Sequence, residues 1–260
     1  MLKFYKYQGA GNDFVIIDNR NRVFPVIDRA KIIEKLCHRR FGIGADGVML
    51  LEIAADADFK MLYFNADGNE SSMCGNGGRC IVAFANDLGL IEHHCTFIAI
   101  DGYHKAVFHT PQNVELQMSD VTDIELGNNF AILDTGSPHY VKILPDQAFV
   151  NVVEEGRQIR YSARFKEKGI NVNFVSQGLK KLNVLTYERG VEDETYACGT
   201  GVTAAVLAIN EIQHHKSENL VQVAVKGGEL KVRFKKTGNV YHDIWLIGPA
   251  VKVFEGEILL

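Results

Sequence analysis

Two short motifs in the sequence combine a cysteine with glycines in a way that could support acid–base chemistry. The first reads Cys-Gly-Asn-Gly-Gly-Arg-Cys at residues 74–80, and the second reads Cys-Gly-Thr-Gly at residues 198–201. A strand-like apolar run and a polar segment precede each cysteine, and a long run of small and apolar residues follows it. This order predicts a strand, a turn and then a helix that begins at the cysteine.

The start of a helix changes what a cysteine can do. The positive end of the helix dipole and the free backbone N–H groups lower the pKa of a thiol there and favour the reactive thiolate. Glycine lets the same N–H groups approach an anion closely. We expect a carboxylate to be held by the backbone amides of Gly75, Asn76, Gly199 and Thr200. A carboxylate held between two thiols suits a reaction that removes a proton from one face of a carbon atom and returns one to the other.

Composition places the chain among globular proteins and excludes several function classes. Its 260 residues, 47% of them hydrophobic, suffice for two domains, and the repeated motif favours two. A net charge of −4 gives no basic surface for nucleic acid. No apolar run is long enough to span a membrane, and the first residues do not read as a signal peptide. We therefore expect a cytoplasmic protein, and its five cysteines, an odd number, favour reduced thiols over disulfides.

Strand-like runs outnumber helical runs, and each half of the chain carries one long buried helix. We predict an α+β fold of two pseudo-symmetric domains, each a curved, mostly antiparallel sheet wrapped around a central helix. The halves are expected at residues 1–115 and 116–249, with the final strand, 250–260, returning to the first half. A shorter helix is predicted after Asp28, with a buried stripe of Ile32, Ile33, Leu36 and Cys37.

Two other patterns are interpreted as structural. Gly-Ile-Gly-Ala-Asp-Gly at residues 42–47 has the spacing of a dinucleotide-binding loop, but it follows a predicted helix and precedes a strand. The nucleotide motif requires the reverse order. Cys80, His93, His94 and Cys95 lack the paired spacing of a zinc site, so we predict no metal.

Seven segments, distributed over nearly the whole chain, resemble the diaminopimelate epimerase family. They are Gly-Ala-Gly-Asn-Asp-Phe at 9–14, Phe-Asn-Ala-Asp-Gly at 64–68, the cysteine motifs at 74–80 and 197–201, Pro-His at 138–139, Asn-Val-Asn-Phe at 171–174 and Glu-Arg-Gly at 188–190. The resemblance implies an enzyme that uses no cofactor and interconverts LL- and meso-diaminopimelate, for lysine and peptidoglycan synthesis. Together with the strand-rich edges, it also favours a homodimer.

The resemblance implies a role for each matching residue. Cys74 and Cys198 would be the two acid–base residues, and His139 and Glu188 would help to tune the thiols. The amides named above would hold the carboxylate at the reacting carbon. The distal amino-acid end of the substrate would be held by Asn12, Asn65, Asn171, Glu188 and Arg189.

Two positions depart from the common family pattern and leave alternatives open. Family members often have glutamine where this chain has Gly47, and asparagine where it has Ser137. A racemase for another amino acid is therefore one alternative. A redox-sensing protein, in which Cys74 and Cys198 oxidise to a disulfide, is another, although such a protein would not need Arg189 and the asparagines.

Overall fold

The computed structural model describes residues 1–145, 148–178, 180–213 and 220–260. The chain divides into two compact units, residues 1–116 with 248–260, and residues 117–247. Each unit is rich in strands and contains two of the described helices. The structure therefore confirms the predicted α+β class.

The first unit contains two strands, a short helix, three strands, a long helix and three more strands. They are β1 (Leu2–Gly9), β2 (Asn12–Asp18), α1 (Arg29–Cys37), β3 (Gly47–Glu52), β4 (Phe59–Asn65), β5 (Glu70–Ser71), α2 (Gly75–Asp87), β6 (His94–Ala99), β7 (Gly102–Thr110) and β8 (Asn113–Gln117). The final strand of the chain, β18 (Val251–Ile258), lies antiparallel to β1. The pairs β2–β3 and β4–β6 are parallel, and the other neighbours in this unit are antiparallel.

The second unit repeats this order of elements after one additional strand, β9 (Ile124–Gly127). Its elements are β10 (Phe130–Asp134), β11 (Pro138–Ile143), α3 (Val152–Arg160), β12 (Asn171–Gln177), β13 (Leu182–Glu188), β14 (Asp193–Thr195), α4 (Gly199–Gln213), β15 (Leu220–Val225), β16 (Gly228–Thr237) and β17 (Val240–Gly248). The parallel pairs, β11–β12 and β13–β15, also correspond to those of the first unit. Equivalent positions in the two units can therefore be compared directly.

The long helices α2 and α4 form the centres of the units. All residues from Gly75 to Ala85 are buried in α2, and in α4 the buried residues include Gly199 and every residue from Gly201 to Asn210. A helix that is buried on all sides must be enclosed by its neighbours. Each long helix packs against several strands of its own unit, which confirms the predicted central helices.

The short helices show where the pattern of apolar residues is less informative. Helix α1 follows Asp28 as predicted, but the Asp28 side chain makes no capping hydrogen bond and Ile32 is only partly buried. Helix α3 is not among the predicted elements. It begins after Asn151, whose side chain accepts a hydrogen bond from the Glu154 N–H, and such a cap is a signal that the sequence does carry.

The glycine-rich segment at 42–47 lies between helix α1 and strand β3, as predicted, so its context is not that of a dinucleotide-binding loop. None of the helices in the described part of the chain has the length and apolar character needed to cross a membrane.

Candidate active site

The structure divides the five cysteines into two groups. Cys37, Cys80 and Cys95 are buried, and burial raises the pKa of each of these thiols, to about 12 for Cys37 and Cys95. Cys74 and Cys198 are partly exposed, and each directly precedes a long helix, as predicted. Buried neutral thiols are chemically inert, which leaves Cys74 and Cys198 as the thiols accessible for reaction.

Cys74 occupies the N-cap position of α2. Its backbone is extended, and its Sγ accepts a hydrogen bond from the Gly77 N–H at 3.2 Å. A Cβ atom at Gly77 would lie 3.0 Å from this sulfur, closer than side chains normally approach. Glycine at position 77 therefore lets the sulfur reach the helix N–H, and a thiolate accepts such a bond better than a thiol does.

Arg79, on the same helix, is fully buried and remains charged. Its Nη1 donates to the Gly75 carbonyl at 3.1 Å, its Nη2 to Asn76 Oδ1 at 2.8 Å, and its Nε to the Pro249 carbonyl at 3.4 Å. Burial lowers the pKa of Arg79 to about 10, which leaves it protonated at neutral pH. Within the described ranges no carboxylate forms an ion pair with it, although burying an uncompensated charge costs several kcal/mol.

Asn76 and Asn12, two of the predicted binding residues, contact each other in the first unit. Asn76 Nδ2 donates to Asn12 Oδ1 at 2.5 Å, and Asn12 Nδ2 donates to Asp46 Oδ2 at 2.9 Å. Because Asn76 Oδ1 also accepts from Arg79, the orientation of its amide is fixed at both ends. Asn65 lies at the end of β4 with its side chain exposed.

His139 lies at the centre of a hydrogen-bonded chain in the second unit. Its ring is fully buried, with Nδ1 2.8 Å from Asn173 Oδ1 and Nε2 2.9 Å from Thr200 Oγ1. Thr200 Oγ1 is in turn 3.3 Å from the Sγ of Cys198. Burial lowers the pKa of His139 to about 4, against a smaller opposing effect of the Asn173 hydrogen bond, so the ring is neutral at neutral pH.

The positions of the protons in this series of hydrogen bonds follow from the contact between Asn173 and Thr186. Asn173 Nδ2 donates to Thr186 Oγ1 at 2.8 Å, which leaves its Oδ1 to accept from His139 Nδ1. A neutral imidazole that donates at Nδ1 must accept at Nε2, so the Thr200 hydroxyl donates to His139. Since that hydroxyl has a single proton, its contact with Cys198 is one in which the thiol donates.

Asn171, Ser137 and Arg189 form a separate group in the same unit. Asn171 Oδ1 accepts from the Arg189 backbone N–H at 2.9 Å, and its Nδ2 donates to Ser137 Oγ at 2.9 Å. The exposed Arg189 guanidinium donates to Ser137 Oγ at 3.3 Å and to the Lys168 carbonyl at 3.1 Å. Because these partners are neutral, the charge of Arg189 is available to a carboxylate. Glu188, which precedes it, ends β13 and is partly buried.

Gly47 has a structural reason to lack a side chain. It begins β3, the position that Asn171 occupies at the start of β12. A Cβ atom there would lie 2.5 Å from the Phe64 carbonyl oxygen and 2.6 Å from the Tyr63 ring. A glutamine at position 47 would therefore require the backbone to move.

Potential metal ligands are dispersed over the part of the chain that the structure describes. Across residues 1–145, 148–178, 180–213 and 220–260, no three histidine, cysteine, aspartate or glutamate side chains come together as a metal site.

Comparison with known proteins places the whole chain in one family. The sequence model described as diaminopimelate epimerase matches residues 4–122 and 131–253. The chain belongs to the diaminopimelate epimerase family. Diaminopimelate epimerase from Flavobacterium psychrophilum is 48% identical to it over 258 residues, which span 99% of this chain and 100% of that enzyme. The resemblance of the seven motifs to the diaminopimelate epimerases is thereby confirmed.

Solved structures of more distant proteins share the fold. The Bacillus anthracis phenazine biosynthesis protein of the PhzF family has a TM-score of 0.74 at 13% identity, over 100% of this chain and 99% of that chain. A probable proline racemase from Agrobacterium radiobacter K84 has a TM-score of 0.69 at 15% identity, over 100% and 93%. At these identities the similarity concerns the fold alone.

Arg79 and Asn173 are hydrogen-bonded to predicted site residues, and Thr186 to Asn173, but none of the three is itself a predicted site residue. Arg79 carried a signal, because it is a charge at helical spacing within an otherwise apolar run. Asn173 lies two residues after Asn171 on a strand, so both side chains point to the same face. Thr186 lies on the neighbouring strand β13, opposite Asn173, and nothing in its local sequence marks it.

Proposed function

We propose that this protein interconverts LL- and meso-2,6-diaminopimelate by moving a proton at the α-carbon between the thiols of Cys74 and Cys198. Family membership supports the reaction, and the two partly exposed cysteines at the starts of long helices support the mechanism. The reaction uses neither pyridoxal phosphate nor a metal. The protein acts in the cytoplasm, as a homodimer, without nucleic acid or membrane partners, and its two compact units are the two halves of the epimerase.

The proposed proton transfer conserves the total charge of the two cysteines and the substrate. One cysteine, as thiolate, removes the α-proton and becomes a thiol, while the other, as thiol, donates its proton to the opposite face of the carbon and becomes a thiolate. The two cysteines exchange roles for the substrate of opposite configuration. Their ionisations are coupled, so apparent pKa values belong to the pair.

The developing carbanion is stabilised through its carboxylate. The α-proton of an amino acid is weakly acidic, and charge grows on the carboxylate as the proton leaves. Oriented donors of this kind contribute about 3 to 4 kcal/mol each in comparable sites. The donors proposed here are the backbone amides of Gly75, Asn76, Gly199 and Thr200.

The other predicted residues bind the distal end of the substrate or adjust the thiols. Arg189, whose described partners are neutral, takes the distal carboxylate. His139 and Glu188 tune the thiols, and for His139 the route to Cys198 passes through the Thr200 hydroxyl. The distal amino and carboxylate groups are held by Asn12, Asn65, Asn171, Glu188 and Arg189.

Exchange of the α-proton with solvent tests the proposal directly. Reduced protein is incubated with LL-diaminopimelate in deuterated water, without pyridoxal phosphate or metal, and the α-proton signal is followed by NMR. We expect rapid loss of the signal, abolished in Cys74→Ala and in Cys198→Ala. Cys95→Ala, which changes a buried thiol outside the site, serves as the matched control and is expected to retain the exchange. Full exchange in both Cys74→Ala and Cys198→Ala would overturn the mechanism.

A racemase for another amino acid is the second candidate, and Gly47 is the observation that favours it. The equivalent strand position in the second unit carries Asn171, which is hydrogen-bonded to Ser137 and to Arg189, whereas Gly47 has no side chain. The same exchange assay over a panel of amino acids separates the two functions. Exchange with another amino acid but none with diaminopimelate would retain the two-thiol chemistry and change the substrate.

A further inference from the structure

The two helix starts that carry the cysteines differ in charge. In α2, Arg79 Nη1 donates to the carbonyl of Gly75, four residues earlier, at 3.1 Å. In α4, the equivalent position is Thr203, whose hydroxyl donates to the carbonyl of Gly199 at 3.0 Å. Both side chains are fully buried and make the same hydrogen bond, but only Arg79 brings a positive charge.

The thiols of Cys80 and Cys74 are close enough to the buried Arg79 guanidinium to favour its charged form. Cys80 is fully buried, and burial raises the pKa of its thiol well above the ordinary range, so it stays neutral. Cys74 is partly exposed and its sulfur accepts a helix N–H from Gly77. Cys74 is therefore the group that can supply the missing negative charge.

Several other charged groups on the strands packed against α2 and in adjoining loops have partners of their own. The Asp101 carboxylate, which also accepts from the Met73 N–H at 3.4 Å, interacts with His104 at 3.1 Å. Further pairs are Asp13 with Lys6 and Arg39, Asp46 with Arg39, Asp87 with Tyr7, His109 with Glu115, and Glu255 with Lys3 and Lys252. The Arg79 guanidinium itself donates to the Gly75 carbonyl and to Asn76 Oδ1, both in the first turn of α2.

The surroundings of Cys198 favour the protonated thiol, unlike those of Cys74. The Thr200 hydroxyl lies 3.3 Å from the Cys198 sulfur and donates its one hydrogen bond to neutral His139. A hydrogen bond between Thr200 and Cys198 therefore requires the thiol to be the donor. The contact therefore favours the thiol of Cys198, whereas the Gly77 N–H favours the thiolate of Cys74.

We propose that the free enzyme rests with Cys74 as the thiolate, held in that state by the buried guanidinium of Arg79, and with Cys198 as the thiol. Arg79 is thus a positioning residue that acts through Cys74 and through the amide of Asn76. The assignment of the thiols to catalysis rests on the function proposed above. The protonation state of each thiol in the free protein does not.

Alkylation of the free protein as a function of pH tests the proposal without any substrate. Reduced protein is treated briefly with iodoacetamide over a range of pH, and peptide mass spectrometry measures the rate at each cysteine. The midpoint of the pH profile reports ionisation independently of access. We expect the Cys74 midpoint to lie below that of an ordinary thiol, about pH 8.5, and below that of Cys198. A midpoint for Cys198 below that of Cys74 would overturn the proposal, and this comparison needs only the wild-type protein.

Substitutions at position 79 identify the origin of the effect. In Arg79→Met the Cys74 midpoint is expected to rise by about one pH unit, so that alkylation in mildly acidic solution slows roughly tenfold. Arg79→Lys keeps the charge and is expected to keep a low midpoint. Thr203→Val, at the matched position of α4, is expected to leave the Cys74 midpoint unchanged. Circular dichroism and thermal unfolding establish which variants are folded.

The possible results distinguish a failure of this proposal from a failure of the proposed function. An unchanged Cys74 midpoint in folded Arg79→Met would overturn the role of Arg79, even if diaminopimelate exchanges its α-proton normally. If Arg79→Met does not fold, Arg79→Lys decides, because a low midpoint retained by lysine supports the role of charge and an ordinary midpoint overturns it. Absence of exchange with diaminopimelate would overturn the substrate and leave the alkylation result intact.

Discussion

The hydroxyl oxygen of Thr200 lies 2.9 Å from Nε2 of His139, and this contact connects a fully buried, neutral imidazole to the start of helix α4. The same oxygen is 3.3 Å from the Cys198 sulfur. Thr200 therefore carries two different polar groups: its backbone N–H, which any residue would provide, and a hydroxyl that joins His139 to the thiol. Substitutions can separate the two.

We expect Thr200→Val to reduce kcat, because valine keeps the shape and the backbone N–H but removes the hydroxyl. The loss of one buried hydrogen-bonding group costs about 1 to 3 kcal/mol, which corresponds to roughly tenfold to a hundredfold in rate if the contact is needed in the transition state. The α-proton exchange assay measures kcat. Thr200→Ser restores the hydroxyl and is expected to keep most of the activity. Wild-type kcat in Thr200→Val would exclude a role for the hydroxyl.

His139 should make the stability of the protein depend on pH in mildly acidic solution. Its pKa is about 4 in the folded protein, against an ordinary value of 6.5 in the unfolded chain. As pH falls through this window the unfolded chain binds a proton that the folded protein refuses, so the free energy of unfolding decreases. Above pH 6.5 neither state binds the proton. The decrease from His139 amounts to about 3 kcal/mol over the whole window.

Urea denaturation at several pH values measures this dependence. The matched variant is His139→Gln, which keeps a polar side chain but does not titrate, and its stability is expected to change less between pH 6.5 and pH 4 than that of the wild type. Equal slopes in the two proteins would show that His139 is not buried as a neutral ring.

The glycine at position 201 makes room for the residue that orients His139. A Cβ atom there would lie 2.4 Å from Nδ2 of Asn173, and its other near contacts are also atoms of this side chain. Alanine normally stabilises a helix relative to glycine by about 0.5 to 1 kcal/mol. Overpacking in a buried site costs about 1 to 3 kcal/mol, so we expect Gly201→Ala to be destabilising and to lower activity.

A double-mutant cycle with Asn173→Ala tests the cause. If the Asn173 side chain is the obstacle, Gly201→Ala should cost much less stability in the Asn173→Ala background than in the wild type. Additive effects of the two substitutions would show that Gly201 is required for another reason.

The sequence predicts most of the scaffold because its strongest signals are local. A helix that begins at Cys74 or Cys198 is readable from a cysteine, a glycine and an apolar run that follows them. The strands β15 and β16 and the turn between them are readable in the same way. Helix α3 is harder to recognise in the sequence, because its residues are mostly polar and it contains Gly156. The structure explains this glycine, since a Cβ atom there would lie 2.5 Å from atoms of the Tyr187 side chain.

The arrangement of the site is harder to predict because its contacts join distant segments. Thr200, His139 and Asn173 come from a helix start and two strands, and their order along the chain does not indicate that they touch. Arg79 belongs to a motif that the sequence does reveal, but the absence of a carboxylate partner within the described chain is visible only in three dimensions. The family resemblance indicates which residues belong to the site, whereas only the structure shows which of them are hydrogen-bonded to each other.

Gly47 should be less replaceable than Gly201, because its nearest obstacle is backbone. We expect Gly47→Ala to destabilise the protein by about 1 to 3 kcal/mol, since a Cβ atom would lie 2.5 Å from the Phe64 carbonyl oxygen. The Tyr63 ring is a second obstacle at 2.6 Å. Tyr63→Leu should therefore fail to rescue Gly47→Ala in chemical denaturation, unlike the pair at positions 201 and 173. Rescue by Tyr63→Leu would show that the backbone contact is not the main constraint.

Arg189 should matter for binding the substrate and little for the fold. Its guanidinium is exposed and donates to a hydroxyl and a carbonyl group, so removing the charge leaves no buried partner unsatisfied. We expect Arg189→Met to raise KM for diaminopimelate roughly tenfold or more, the effect of losing a hydrogen bond between charged groups, with a nearly unchanged melting temperature. Arg164→Met is the matched control, because Arg164 is an exposed arginine of the same unit that pairs with Glu125 at 2.5 Å. An exposed ion pair contributes about 0 to 1 kcal/mol to stability, and its loss should leave KM unchanged. Equal KM values for wild type and Arg189→Met would assign the distal carboxylate to another residue.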